Sequence, residues 1–212
     1  MIVILDGING CGKSTVAKAL TRVLASQGIV SVQYHDPGST PAGEAIRAIV
    51  RDPKLPMSAV AQTLLFTAAR HETAGCVRDQ VEQGRWVVID RWWYSTYAYQ
   101  SAQGVDPSFI VSLNASVAHL PDPVVAYYLD VPVCIALDRR AQMREDGNDR
   151  FEAKEEDFQH KLRERYLELC ASKHMIKVEA ATHTAHALAQ YIYDDLIKIE
   201  VPAWELKMGK KS

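Results

Sequence analysis

The segment Gly7-Ile8-Asn9-Gly10-Cys11-Gly12-Lys13-Ser14 follows directly on the apolar run Ile2-Val3-Ile4-Leu5. Glycines at this spacing let consecutive backbone N–H groups turn inward onto phosphate oxygens. Lys13 can then reach the terminal phosphates, and Ser14 can offer its hydroxyl to Mg²⁺. The helical spacing of Thr15-Val16-Ala17-Lys18-Ala19-Leu20 completes the strand, loop and helix that such a motif requires. Gly7, Asn9, Gly10, Cys11, Gly12, Lys13, Ser14 and Thr15 are the expected contacts of a nucleoside triphosphate, identified with ATP.

Transfer of a γ-phosphoryl group places charge on peripheral oxygens and calls for Mg²⁺, lysine and arginine more than for covalent catalysis. A sugar hydroxyl acceptor would benefit from a carboxylate base. A phosphate monoester is already ionised at pH 7 and calls for arginines. Arg91 follows Asp90 at the end of an apolar run, and Arg47 and Arg70 fall in helical stretches that enter the same mouth. Asp90 has the position of a Walker-B carboxylate, and with Ser14 it forms the expected metal pair. Further on, the run from Arg139 to Arg150 mixes Arg139, Arg140, Arg144 and Arg150 with Gly147 and acidic residues. It fits a lid over 139–153 that excludes water and brings positive charge to the transferred group. Arg139 and Arg140 are equally suited to capping a helix C-terminus.

Positioning these residues requires a sheet. Apolar runs at 2–5, 29–34, 86–89, 124–129 and 175–178 read as buried parallel strands. Between and beyond them lie helical stretches at 14–27, 41–51, 57–83, 94–103, 107–118, 132–144, 154–173 and 182–198. The expectation is one α/β domain over 1–212, a three-layer P-loop NTPase-like fold with a central parallel sheet of about five strands flanked by helices. A basic lid and a tail over 200–212 complete it. In such sheets ligands sit beyond the carboxyl ends of the strands, where the phosphate loop, the segment from His35 to Pro41 and Asp90-Arg91 all fall.

Composition narrows the class. With 48% hydrophobic and 24% charged residues and a formal net charge of −2, the chain reads as a soluble globular protein without the basic excess of a polynucleotide binder. Cys11, Cys76, Cys134 and Cys170 are far apart and form no C-x-x-C pair, so they read as reduced thiols. With no signal-like or membrane-spanning segment, the expected compartment is the cytosol.

The chain resembles the thymidylate kinase family of P-loop nucleoside monophosphate kinases from its first strand to roughly residue 173. The resemblance is carried by Leu5-Asp6-Gly7, Asp36-Pro37-Gly38-Ser39-Thr40-Pro41, Gly43-Glu44-Ala45-Ile46-Arg47 and Leu64-Leu65-Phe66-Thr67-Ala68-Ala69-Arg70. Asp90-Arg91, Ser95-Thr96-Tyr97-Ala98-Tyr99-Gln100 and Asp149-Arg150-Phe151-Glu152 follow in order. It implies Mg²⁺-dependent transfer from ATP to dTMP by a cytoplasmic homodimer. Phe66 would stack on the pyrimidine, Arg70 would donate to a base carbonyl, and Gln100 with Thr96 would read another edge. Tyr99 would pack beneath the deoxyribose, Arg47 and Arg91 would hold the acceptor phosphate, and Asp36 and Asn9 would lie near phosphate and sugar.

The neutral loop interior Asn9-Gly10-Cys11 and the arginine-rich lid match the family's lid-arginine type, with Arg144 and Arg150 at the transferred group and Arg140 on the nucleotide. Asn9 replaces a usual carboxylate, His35 an arginine, and Trp92 a tyrosine. These replacements leave a broader-specificity or modified-pyrimidine deoxynucleoside monophosphate kinase as the alternative. A deoxynucleoside kinase lacks a clear base carboxylate, and a nucleotide-dependent switch has no use for the second pocket.

Overall fold

The computed structural model describes residues 1–142 and 156–199. Arg144, Arg150, most of the expected lid and the 200–212 tail lie outside them. The described residues form one five-stranded sheet of β1 (Ile2–Asp6), β2 (Ser31–His35), β3 (Trp86–Asp90), β4 (Val124–Asp130) and β5 (Ile176–Glu179). Its order is β2-β3-β1-β4-β5, with every neighbouring pair parallel. β1 is central and buried at every residue, which is why it carries an unbroken apolar run before Asp6. Edge strands β2 and β5 are partly exposed and alternate more.

Strand order and the right-handed crossover rule assign the helices to layers. The path from β1 through α1 (Lys13–Ser26) to β2 runs one way across the sheet, and every later crossover runs the other way. Helix α1 therefore lies on one face, where it packs with α8 (Ala185–Leu196). On the opposite face, α3 (Ala59–Glu82), α4 (Trp93–Ser101) and α7 (Glu156–Ala171) form a continuous layer. Helices α2 (Pro41–Arg51), α5 (Pro107–Val117) and α6 (Val133–Gln142) complete the described set.

The loops after β1 and β3 leave toward opposite faces, which opens a crevice at their carboxyl ends. The phosphate loop and Asp90-Arg91 meet there.

Helix boundaries follow local chemistry. Thr40 caps α2 by accepting from Gly43 N at 2.9 Å, with Pro41 in the first turn. Ser58 caps α3 in the same way, which starts that helix two residues later than periodicity alone suggests. Helix α1 has no capping side chain, so its N-terminal amides stay available for an anion.

Candidate active site

A cleft of about 1060 Å³ opens at this crevice, walled by the phosphate loop, Asp36, Arg47, Phe66, Asp90 and Arg91. Arg70, Thr96, Tyr99, Gln100 and Arg140 also line it. Residues from six segments of the sequence are thus brought to one mouth. Gly10, at φ 89°, lies so close to α6 that a Cβ would sit 2.2 Å from the Ala136 carbonyl oxygen. Only glycine fits there.

Lys13 Nζ donates to the carbonyls of Gly7 and Ile8, both at 3.0 Å. Burial, and then the charge of Arg91, draws its pKa below the ordinary lysine value. A polyphosphate entering the cleft would add negative charge beside this ammonium and raise its pKa again. Ser14 Oγ donates to Asp90 Oδ2 at 2.5 Å, so a hydroxyl and a carboxylate converge beside the loop. This hard oxygen pair suits Mg²⁺, which keeps several waters and takes few protein ligands.

Arg91 adopts φ 70°, a left-handed conformation costly for a residue with a Cβ. Asp6 holds it there. Asp6 Oδ2 accepts from the amides of Trp92 (3.1 Å) and Ser95 (3.0 Å), while Oδ1 accepts from Gly7 N (2.8 Å), Ser95 Oγ (2.6 Å) and Tyr166 Oη (2.8 Å). The Arg91 guanidinium then donates to Gly7 O (3.1 Å), Ser95 Oγ (2.7 Å) and Asn9 Oδ1, and it lies over the Tyr99 ring. Burial disfavours its charge, but the groups around it, among them Asp6 and Asp90, more than offset this and raise its pKa. Asn9 is a neutral acceptor, so it orients Arg91 without cancelling its charge toward a phosphate.

Arg70 is more constrained than the sequence suggests. Its Nε and Nη2 bind Asp36 Oδ2 at 2.8 and 2.7 Å, Nη1 donates to Asn114 Oδ1 at 2.5 Å, and Nη2 to Thr96 Oγ1 at 2.7 Å. It lines the cleft but is 1% exposed, so it acts as a pillar between α3, α4, α5 and Asp36 as much as a ligand donor. Burial raises the Asp36 pKa, and Arg70 pulls it back. Arg47 Nη1 donates to Pro37 O at 2.8 Å, tying α2 to the loop after β2.

Beyond the phosphate loop lies a smaller cleft of about 210 Å³, walled by Cys11, Arg139, His183 and Leu188. Nothing in the local sequence around His183 marks it as a site residue. Asp6, Asn114 and Tyr166 likewise meet the site only through tertiary contacts. Asp6 alone carried a usable signal, a carboxylate ending a buried strand as Asp90 does. All four cysteines are free, as their spacing suggests.

The thymidylate kinase family model matches residues 5–192. The thymidylate kinase of Rhizorhabdus wittichii is 37% identical over 174 residues, spanning 80% of this chain and 83% of that one. That of Fervidobacterium nodosum is 29% identical over 201 residues, spanning 94% and 98%. In fold, the chain is similar to the solved thymidylate kinase of Candida albicans, with TM-score 0.72 at 23% identity over 93% of this chain and 91% of that one. Order of motifs, sheet topology and the extent of these matches agree: the chain belongs to the thymidylate kinase family.

Proposed function

We propose that this protein transfers the γ-phosphoryl group of ATP to dTMP, giving dTDP and ADP, and that residues 1–212 act as one kinase domain. The observation that carries this reading is the meeting of Lys13, the Ser14–Asp90 pair and Arg91 in one cleft that continues past Tyr99 to Phe66, Arg70 and Gln100. A triphosphate on the loop and a monophosphate near Arg91 would place donor and acceptor face to face. The cleft beside Cys11 and His183 would take the adenine end.

In this reading Lys13 exchanges its two carbonyl partners for phosphate oxygens, and the open N-terminus of α1 binds the donor through backbone amides. Ser14 and Asp90 would hold Mg²⁺, which when bound offsets charge on the phosphate oxygens. Arg91 and Arg47 orient the acceptor, whose ionised phosphate needs no base. Phe66 stacks on the base and Tyr99 packs against the sugar. Arg140 contacts the nucleotide, and Arg144 and Arg150, which lie outside the described residues, would supply charge to the transferred group.

ADP release measured over a panel of deoxynucleoside monophosphates with ATP and Mg²⁺ tests this. dTMP is expected to be the best acceptor, and a chelator to stop turnover. The comparisons favour this over the broader or modified-pyrimidine reading. Release with none of the monophosphates would overturn the assignment.

We also read the protein as a cytoplasmic homodimer. No helix among the described residues is long and apolar enough to cross a membrane. Val60 and Leu64, one turn apart on α3, are 47% and 49% exposed, and Ile49 on the adjoining α2 is 41% exposed. Pairing through this face would cover them. Sedimentation at micromolar concentration is expected to give twice the 23.6 kDa chain mass, and Leu64→Glu to shift it toward the monomer. A monomeric parent protein would exclude the dimer.

A further inference from the structure

Behind the base end of the cleft, two buried amides form a chain with a direction. Gln62 on α3 is 3% exposed and Gln100 on α4 is fully buried. Gln62 Nε2 donates to the Met57 carbonyl at 3.2 Å, and Gln100 Nε2 donates to Gln62 Oε1 at 3.3 Å. A carbonyl oxygen can only accept, so Met57 O fixes which end of Gln62 faces it. Gln62 must then present its own oxygen to Gln100, which turns the Gln100 NH₂ inward. Gln100 lines the cleft, and its Oε1 is buried and meets no donor among the described residues. Reversing either amide would set oxygen against oxygen or nitrogen against nitrogen between buried groups.

We propose that Gln62 is a positioning residue that sets the hydrogen-bond polarity of the base pocket, holding Gln100 as an acceptor and so selecting pyrimidines that carry a proton on N3. Thymine and uracil satisfy that acceptor with N3–H. Cytosine and 5-methylcytosine bring a lone pair instead, and leave two buried acceptors facing each other. This inference rests on the reading of the cleft as a dTMP site, and it adds the source of the discrimination. Gln62 does not touch the ligand; it acts through Gln100.

The test compares dTMP with 5-methyl-dCMP, which has the same size and the same methyl group, in the parent protein and in Gln62→Leu and Gln62→Glu. The parent protein is expected to prefer dTMP strongly. In Gln62→Leu the anchor for Gln100 is lost, and the ratio of kcat/KM values is expected to fall about tenfold or more, chiefly through KM. In Gln62→Glu the preference should be retained, because the new carboxyl, protonated and donating to the Met57 carbonyl, still accepts from Gln100. A general loosening of α3 would lower turnover of both nucleotides without moving their ratio.

An unchanged ratio in Gln62→Leu, or a loss in Gln62→Glu equal to that in Gln62→Leu, would overturn the proposal. If Gln62→Leu does not fold, the Gln62→Glu ratio and the parent protein's rejection of N3-methyl-dTMP decide the matter. Acceptance of N3-methyl-dTMP as readily as dTMP would refute it. Failure of the functional reading looks different: the parent protein would then turn over neither dTMP nor 5-methyl-dCMP.

Discussion

Lys13→Ala is expected to lower kcat at least about a thousandfold, because the lost ammonium stabilises charge on the transferred phosphoryl group in a water-poor site. The fold should survive. Lys13 is 6% exposed and donates to the Gly7 and Ile8 carbonyls and to Cys11 Sγ, with a pKa drawn down by burial. A cation with a lowered native pKa costs the folded state stability while it stays charged, so its removal brings no large penalty. Steady-state ADP release and a thermal melt with and without ATP measure both halves. The unfolding midpoint without ATP should change little, and its rise on adding ATP should shrink. Retained turnover would remove Lys13 from the mechanism.

Asp6→Ala has a different signature. Asp6 is fully buried and accepts five hydrogen bonds from Gly7, Trp92, Ser95 and Tyr166, with Arg91 at 3.6 Å. Truncation leaves those donors and part of the Arg91 charge unmatched, a loss of about 3–5 kcal/mol for a broken buried charge network. Burial pushes the Tyr166 hydroxyl pKa well up, so it stays protonated and cannot replace the lost negative charge. Arg91, in its left-handed conformation, depends on this anchor, so turnover should fall beyond what the stability loss explains. Urea unfolding with single-turnover kinetics on the remaining folded protein separates the two effects. Asp6→Asn is expected to fail as well, because one of its two acceptor positions becomes an NH₂ facing donors. Parent-like stability in either variant would refute this role.

These two residues mark different kinds of legibility. Lys13 was readable because the phosphate loop is local. Its glycines, lysine and serine are contiguous, and hydrogen-bond geometry with phosphate dictates their spacing. The strands were readable for a similar reason, since burial on both faces demands unbroken apolar runs such as Ile2-Val3-Ile4-Leu5. The five expected strands and eight expected helices all appear among the described residues, displaced by a few positions where caps such as Ser58 intervene.

In the sequence Asp6 is only a landmark of Leu5-Asp6-Gly7, because nothing local reveals that its carboxylate gathers amides from the loop after β3. Arg70 was read as a donor to the base, and its sequence neighbours give no hint that Asp36, Asn114 and Thr96 already hold it. The Gln62–Gln100 chain is equally silent in sequence, since the polarity of an amide depends on a partner 38 positions away.

The sequence by itself determined the phosphate-loop motif, the order of strands and helices along the chain, and the family to which the chain belongs. Each of these is written in contiguous residues or in a periodicity. The tertiary structure alone decided which polar groups are spoken for and which face the ligand. Those roles arise when β1, β3, α3 and α4 are packed together. Burial then forces every donor to find an acceptor, and so turns Asp6 into the anchor of Arg91 and the phosphate loop into one wall of a two-substrate cleft.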